Sequence, residues 1–75
     1  MFRVLLFASL RDQAGWEDRH FTLTPGTVTA GDIWDQLQLG PLDSVMIAVN
    51  QKLVGPEQVL NSGDELAFLP PFTGG

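Results

Sequence analysis

ELAFLPPFTGG, residues 65–75, decides how the rest of the chain is read. Its first half, Glu65–Leu69, is a short run of strand formers that follows a strong turn signal, Asn61-Ser62-Gly63-Asp64. Pro70 and Pro71 then end it, because neither can donate to a strand ladder. Alternation sends Phe68 to one face and Ala67 and Leu69 to the other, so the strand is apolar on both sides. Strands of that kind usually lie covered on both faces. One other segment has the same character. In FRVLLFA (2–8) only Arg3 is polar, with Phe2, Val4, Leu6 and Ala8 on one face and Arg3, Leu5 and Phe7 on the other.

Between these two segments the punctuation is dense. SLRDQAG (9–15) predicts one short helical turn closed by Gly15, and DRHFTLT (18–24) a strand with Phe21 and Leu23 inward. Pro25-Gly26 fits the central positions of a type II turn. Thr29 is suited to cap a helix over Ala30–Leu39, whose Ala30, Ile33, Trp34 and Leu37 form one apolar stripe. Gly40-Pro41 ends that helix. A strand over Val45–Asn50 turns at Asn50-Gln51 into a short edge strand, Lys52–Val54, and one 3₁₀ turn is expected before Leu60. The order strand, strand, helix, strand, strand, strand predicts an α+β fold: a mixed sheet of about five strands packed on one main helix. Residues 1–75 are read as a single domain.

A helix on one face leaves the other open, and there the excess apolar residues matter. Leu5, Phe7, Ala67 and Leu69 would cluster if the first and last strands pair. Scattered apolar residues are normal on surfaces; a contiguous patch points to a protein-docking surface.

Composition narrows the function. A 75-residue chain buries only about 60% of its unfolded surface, too little for a deep catalytic cleft. The absence of cysteine excludes disulfides, thiolate metal sites and thiol nucleophiles. A net charge of −5, with only Arg3, Arg11, Arg19 and Lys52 basic, argues against nucleic acid and against unaided binding of ATP. The longest apolar runs are too short for a membrane span, and a cytoplasmic location is expected. His20 falls on an outward strand position, the serines lie in no nucleophile elbow, and Asp64 suits the turn better than a metal. Neither a bound cofactor nor a metal site is expected in this chain.

The tail is the exception. Pro70 and Pro71 favour polyproline II geometry, so residues 70–75 could project roughly 20 Å at about 3.3 Å each. Gly74 and Gly75 carry no side chains and can thread a narrow channel. The group delivered there is the α-carboxylate of Gly75, a poor electrophile until an ATP-using partner makes it an acyl-adenylate. A sulfur donor could then convert it to a thiocarboxylate.

LFASLRDQAG (6–15), IAVNQKLV (47–54) and LNSGDELAFLPPFTGG (60–75) resemble the small subunits of molybdopterin synthase, within the ubiquitin-like β-grasp sulfur carriers. The resemblance implies a β-grasp fold with a flexible Gly-Gly tail. It implies that Gly75 is adenylated by an E1-like enzyme using ATP, loaded by a persulfide sulfur donor, and inserted into the large synthase subunit. That subunit supplies the catalysis, and sulfur passes to cyclic pyranopterin monophosphate to build molybdopterin. The assembly implied is a heterotetramer, two small subunits flanking a dimer of large ones. Residues carried over are Gly75 and Gly74 at the reacting end, with Leu5, Phe7, Arg11, Ala67, Leu69, Pro70, Pro71, Phe72 and Thr73 touching partners. Three other readings stay open: a carrier for thiamin thiazole or tRNA thiolation, a ubiquitin-like modifier of lysines, and an adaptor with an inert tail.

Overall fold

The computed structural model describes residues 1–42 and 45–70. The chain runs β1 (Phe2–Leu6), α1 (Ala8–Ala14), β2 (Asp18–Phe21), α2 (Ala30–Leu37), β3 (Met46–Val49), β4 (Lys52–Val54) and β5 (Glu65–Leu69). The strands form one sheet in the order β2-β1-β5-β3-β4. β1 and β5 pair in parallel at its centre, Val4 opposite Leu66 and Leu6 opposite Phe68, and the other pairs are antiparallel. The expected mixed five-stranded sheet is therefore present, and its two doubly apolar strands are neighbours.

The core lies between the sheet and α2. Phe2, Val4, Leu6, Leu66 and Phe68 supply its floor, and Ala30, Ile33 and Trp34 cover them. The Trp34 and Phe68 rings meet at a centroid distance of 4.9 Å, a tilted arrangement that aromatic pairs favour. Trp34 Nε1 donates to the Gly40 carbonyl at 2.9 Å, so the one polar atom of this side chain is satisfied. α2 starts where its sequence says it should. Thr29 Oγ1 accepts from the Asp32 amide, and the Asp32 carboxylate accepts from the Thr29 amide, a reciprocal capping box. Asn50 and Gln51 both take positive φ in the two-residue β3–β4 hairpin, the geometry that matches strand twist. Gly26 at φ +97° likewise fits the expected turn.

Several boundaries differ from expectation. β1 stops at Leu6, because the chain turns there to bury Leu10, and α1 is a seven-residue helix rather than a single turn. Among the described residues there are thus two helices, α2 as the main one and the short α1. α2 ends at Leu37, since Gln38 already adopts left-handed backbone at φ +55°. β2 ends at Phe21 and β3 begins at Met46, each shorter than alternation predicts. The one 3₁₀ turn expected before Leu60 is present, the Gln58 amide donating to the Gly55 carbonyl at 3.1 Å. Its Pro56 and Gln58 carbonyls accept from the first amides of α2.

Candidate docking face

The face of the sheet opposite α2 is apolar as well. Strand alternation places Leu5, Ala67, Ala48 and Leu53 there in one row across four strands, each opposite the next. A second row pairs Leu69 with Met46. Ala48 and Ala67 are each only 9% exposed yet stand apart from the core cluster, being screened from solvent on the open side. Ala67 is therefore the floor of this face rather than a projecting contact, since its methyl is shorter than the leucines beside it. Leu5 and Leu69 are half-buried. Phe7 is exposed, at 44%.

Arg11 joins them from α1. Leu5, Phe7 and Arg11 line a concavity of about 300 Å³ together with Arg3, Glu17 and Asp18. Arg11 stands 3.7 Å from both Asp12 and Glu17, loose ion pairs in a half-exposed setting, where such contacts contribute little. The structure thus brings Leu5, Phe7, Arg11, Ala67 and Leu69 to one side of the molecule, with half-buried Pro70 directly following Leu69. Pro71, Phe72, Thr73, Gly74 and Gly75 lie outside the described residues.

Sequence reasoning missed Met46, Ala48 and Leu53. Leu53 is 69% exposed, the most open apolar side chain of the face. Read alone, KLV is only a short edge strand; the pairing of Leu53 with Ala48 and Ala67 is what continues the patch across the sheet. A larger concavity, about 460 Å³, lies along β3 and β4, and its described lining, from Leu42 and Val45 to Val54 and Pro56, is entirely apolar. Such a lining offers nothing to move a proton or hold a charge.

At the other margin of the face, Arg3 and Asp18 form a bidentate ion pair, Nε to Oδ1 at 2.9 Å and Nη2 to Oδ2 at 2.6 Å. The hydrogen bond from Arg3 holds the Asp18 carboxyl below the usual aspartate range, aided by the charges of Arg3 and His20; the same pair raises the Arg3 guanidinium. Because the folded-state value is depressed, the contribution of the pair is present above the unfolded aspartate pKa. It is lost as pH falls through the lower folded value. A carboxyl-carbon NMR titration is expected to find Asp18 protonating below the ordinary range, and Arg3→Gln to return it towards that range.

Asp64 serves the turn: its carboxylate accepts from the Asn61 amide at 2.7 Å and from the Asn50 side chain at 3.0 Å. His20 is exposed on β2. Among the described residues no helix is long and apolar enough to cross a membrane.

The ThiS family model matches residues 4–75. The chain belongs to the ThiS family. Within the range of that family, it is 39% identical to the molybdopterin synthase sulfur carrier subunit of Chlamydomonas reinhardtii, over 97% of this chain and 96% of that one. The corresponding subunit of Escherichia coli is 38% identical, with all of both chains covered. Solved ThiS-like structures agree in fold. SAMP1 of Haloferax volcanii superposes with a TM-score of 0.80 at 26% identity, covering 99% of this chain and 98% of that one. A putative molybdopterin converting factor, subunit 1, from Pyrococcus furiosus gives 0.77 at 26% identity, covering 93% and 95%. The fold of this ThiS member is the ubiquitin-like β-grasp.

Proposed function

We propose that this chain is the sulfur carrier subunit of a molybdopterin synthase, with the Gly75 α-carboxylate as the group that is loaded. The observation that carries this reading is the end-to-end match to relatives bearing that name, at 36–39% identity. The chemistry of the domain agrees with it: the described residues bring an apolar face together and converge no acid, base and nucleophile on any cavity. An E1-like partner transfers AMP from ATP to the Gly75 carboxylate, and pyrophosphate leaves. The terminal sulfur of a persulfide donor then attacks the carbonyl carbon and AMP leaves, giving an acyl disulfide with the donor. A second thiol of the partner cleaves that S–S bond, supplying the two electrons, so that the thiocarboxylate is released and the donor is left as a disulfide. Gly74 keeps the end slim enough to enter the large subunit, where the thiocarboxylate sulfur is passed to cyclic pyranopterin monophosphate. Two rounds complete the dithiolene. In this reading the open sheet face, with Phe7 and Arg11 at its margin, holds first the activating enzyme and then the large subunit. Pro70 to Thr73 line the approach, and the assembly is a cytoplasmic heterotetramer.

A second reading, a protein modifier, is favoured by the superposition on small archaeal modifier protein 1. One experiment separates the two. The chain is incubated with the E1-like enzyme, ATP and a sulfur donor, then weighed intact and fragmented. Exchange of one oxygen for sulfur at Gly75, followed by molybdopterin formation with the large subunit, is the expected result. Conjugates on target lysines with no molybdopterin would establish the modifier instead.

A further inference from the structure

We propose that Ala8 is a positioning residue for docking: its left-handed backbone, stiffened by its own methyl group, holds Phe7 out on the open face. The inference rests on the docking reading above. Ala8 has φ +50°, a region that an alanine enters only at a steric cost and that glycine enters freely. This chain uses glycine where a turn alone is needed, at Gly15, Gly26, Gly40 and Gly63, all at positive φ with nothing near the absent Cβ. Its other non-glycine cases have local reasons. Gln38 caps α2, Asn50 and Gln51 make the hairpin, and the Asn50 side chain accepts from the Glu65 amide. Ala8 has no polar atom with which to support its conformation.

What holds Ala8 there is its position between two anchors. Leu6 is buried at the end of β1, and its amide donates to the Glu17 carbonyl at 3.0 Å. Leu10 is buried from α1, and its amide donates to the Phe7 carbonyl at 3.1 Å. Three exposed residues, Phe7, Ala8 and Ser9, must reverse the chain between them. Phe7 itself stays extended, at φ −120° and ψ 150°, so the reversal begins at Ala8, with φ +50°. Strained backbone of this kind persists where surrounding structure over-determines it, and it concentrates at functional sites. Glycine at position 8 would make the same turn more easily. It would also open conformations in which Phe7 swings off the face, and affinity falls by the fraction of molecules still competent to bind.

The test compares Ala8→Gly, Ala8→Asn and Phe7→Glu with the parent chain. Binding to the large synthase subunit is read by calorimetry, melting by circular dichroism, and backbone order by nitrogen-15 relaxation. Ala8→Gly is expected to melt no lower than the parent, to lose order at residues 7 and 8, and to bind about ten-fold more weakly. Asparagine tolerates the left-handed region yet lacks the freedom of glycine, so Ala8→Asn should bind within about two-fold of the parent. Parental affinity and order in Ala8→Gly, with Phe7→Glu binding lost, overturns the role of Ala8 and leaves the docking face standing. Equal losses in both Ala8 variants without a change of order also overturn it, since the methyl is then simply a contact. Phe7→Glu binding like the parent removes the docking face, and this inference with it.

Discussion

Phe7→Glu is expected to fold and melt like the parent and to bind the large subunit at least about a hundred-fold more weakly. A carboxylate pressed into an apolar interface without a partner costs several kcal/mol, and about 1.4 kcal/mol is a factor of ten. The fold is spared because Phe7 stands outside the core cluster. The variant adds a negative charge beside Glu17 and Asp18, which line the same concavity, so Arg11 is the one cation that could reach it without breaking the Arg3–Asp18 pair. Isothermal calorimetry measures the affinity, and circular dichroism confirms the fold. Retained affinity would mean that partners approach some other side of the sheet.

Phe68→Ala is the opposite case, a loss of fold. Phe68 has no exposed surface and packs against Trp34 from the middle of the central strand. Truncating a buried phenylalanine costs about 3–5 kcal/mol. Domains are stable by only about 5–15 kcal/mol, and one this small lies towards the lower end because it buries so little of its surface. At about 4–8 °C per kcal/mol for a chain of this length, the melting temperature should drop by about 12 °C or more. Thermal unfolding followed at 222 nm, roughly the helical band, makes the measurement. The contrast is Leu53→Ala: that side chain is mostly solvated, so its truncation should hardly move the transition.

These two substitutions mark what could be read from residues alone. β5 appears with the predicted bounds, because a turn signal precedes it and prolines follow it. Thr29 was identifiable as a cap because the Thr29–Asp32 spacing lets each side chain reach the other's amide. The face containing Leu5, Phe7 and Leu69 was legible because both strands are apolar on both sides. Ala8 was not. Alternation continues through it from Phe2, and the burial of Leu10 that pulls the chain aside is a tertiary effect. Gln38 was hidden by Gly40-Pro41, a stronger local stop signal two residues on. Leu53 and Met46 needed the β3–β4 and β3–β5 registers, which no local pattern carries.

The place of β5 in the sheet has a consequence for how the protein is made. Among the described strands it is the last to be synthesised, yet it stands between β1 and β3. Before it arrives, β1–β2 and β3–β4 can form only two separate strand pairs, and isolated two-stranded units are marginal in water. A translation product broken off before residue 65 therefore lacks the strand that joins the two halves of the sheet. The strand that completes the core is made late, so any chain that carries the whole sheet has already been synthesised as far as Leu69.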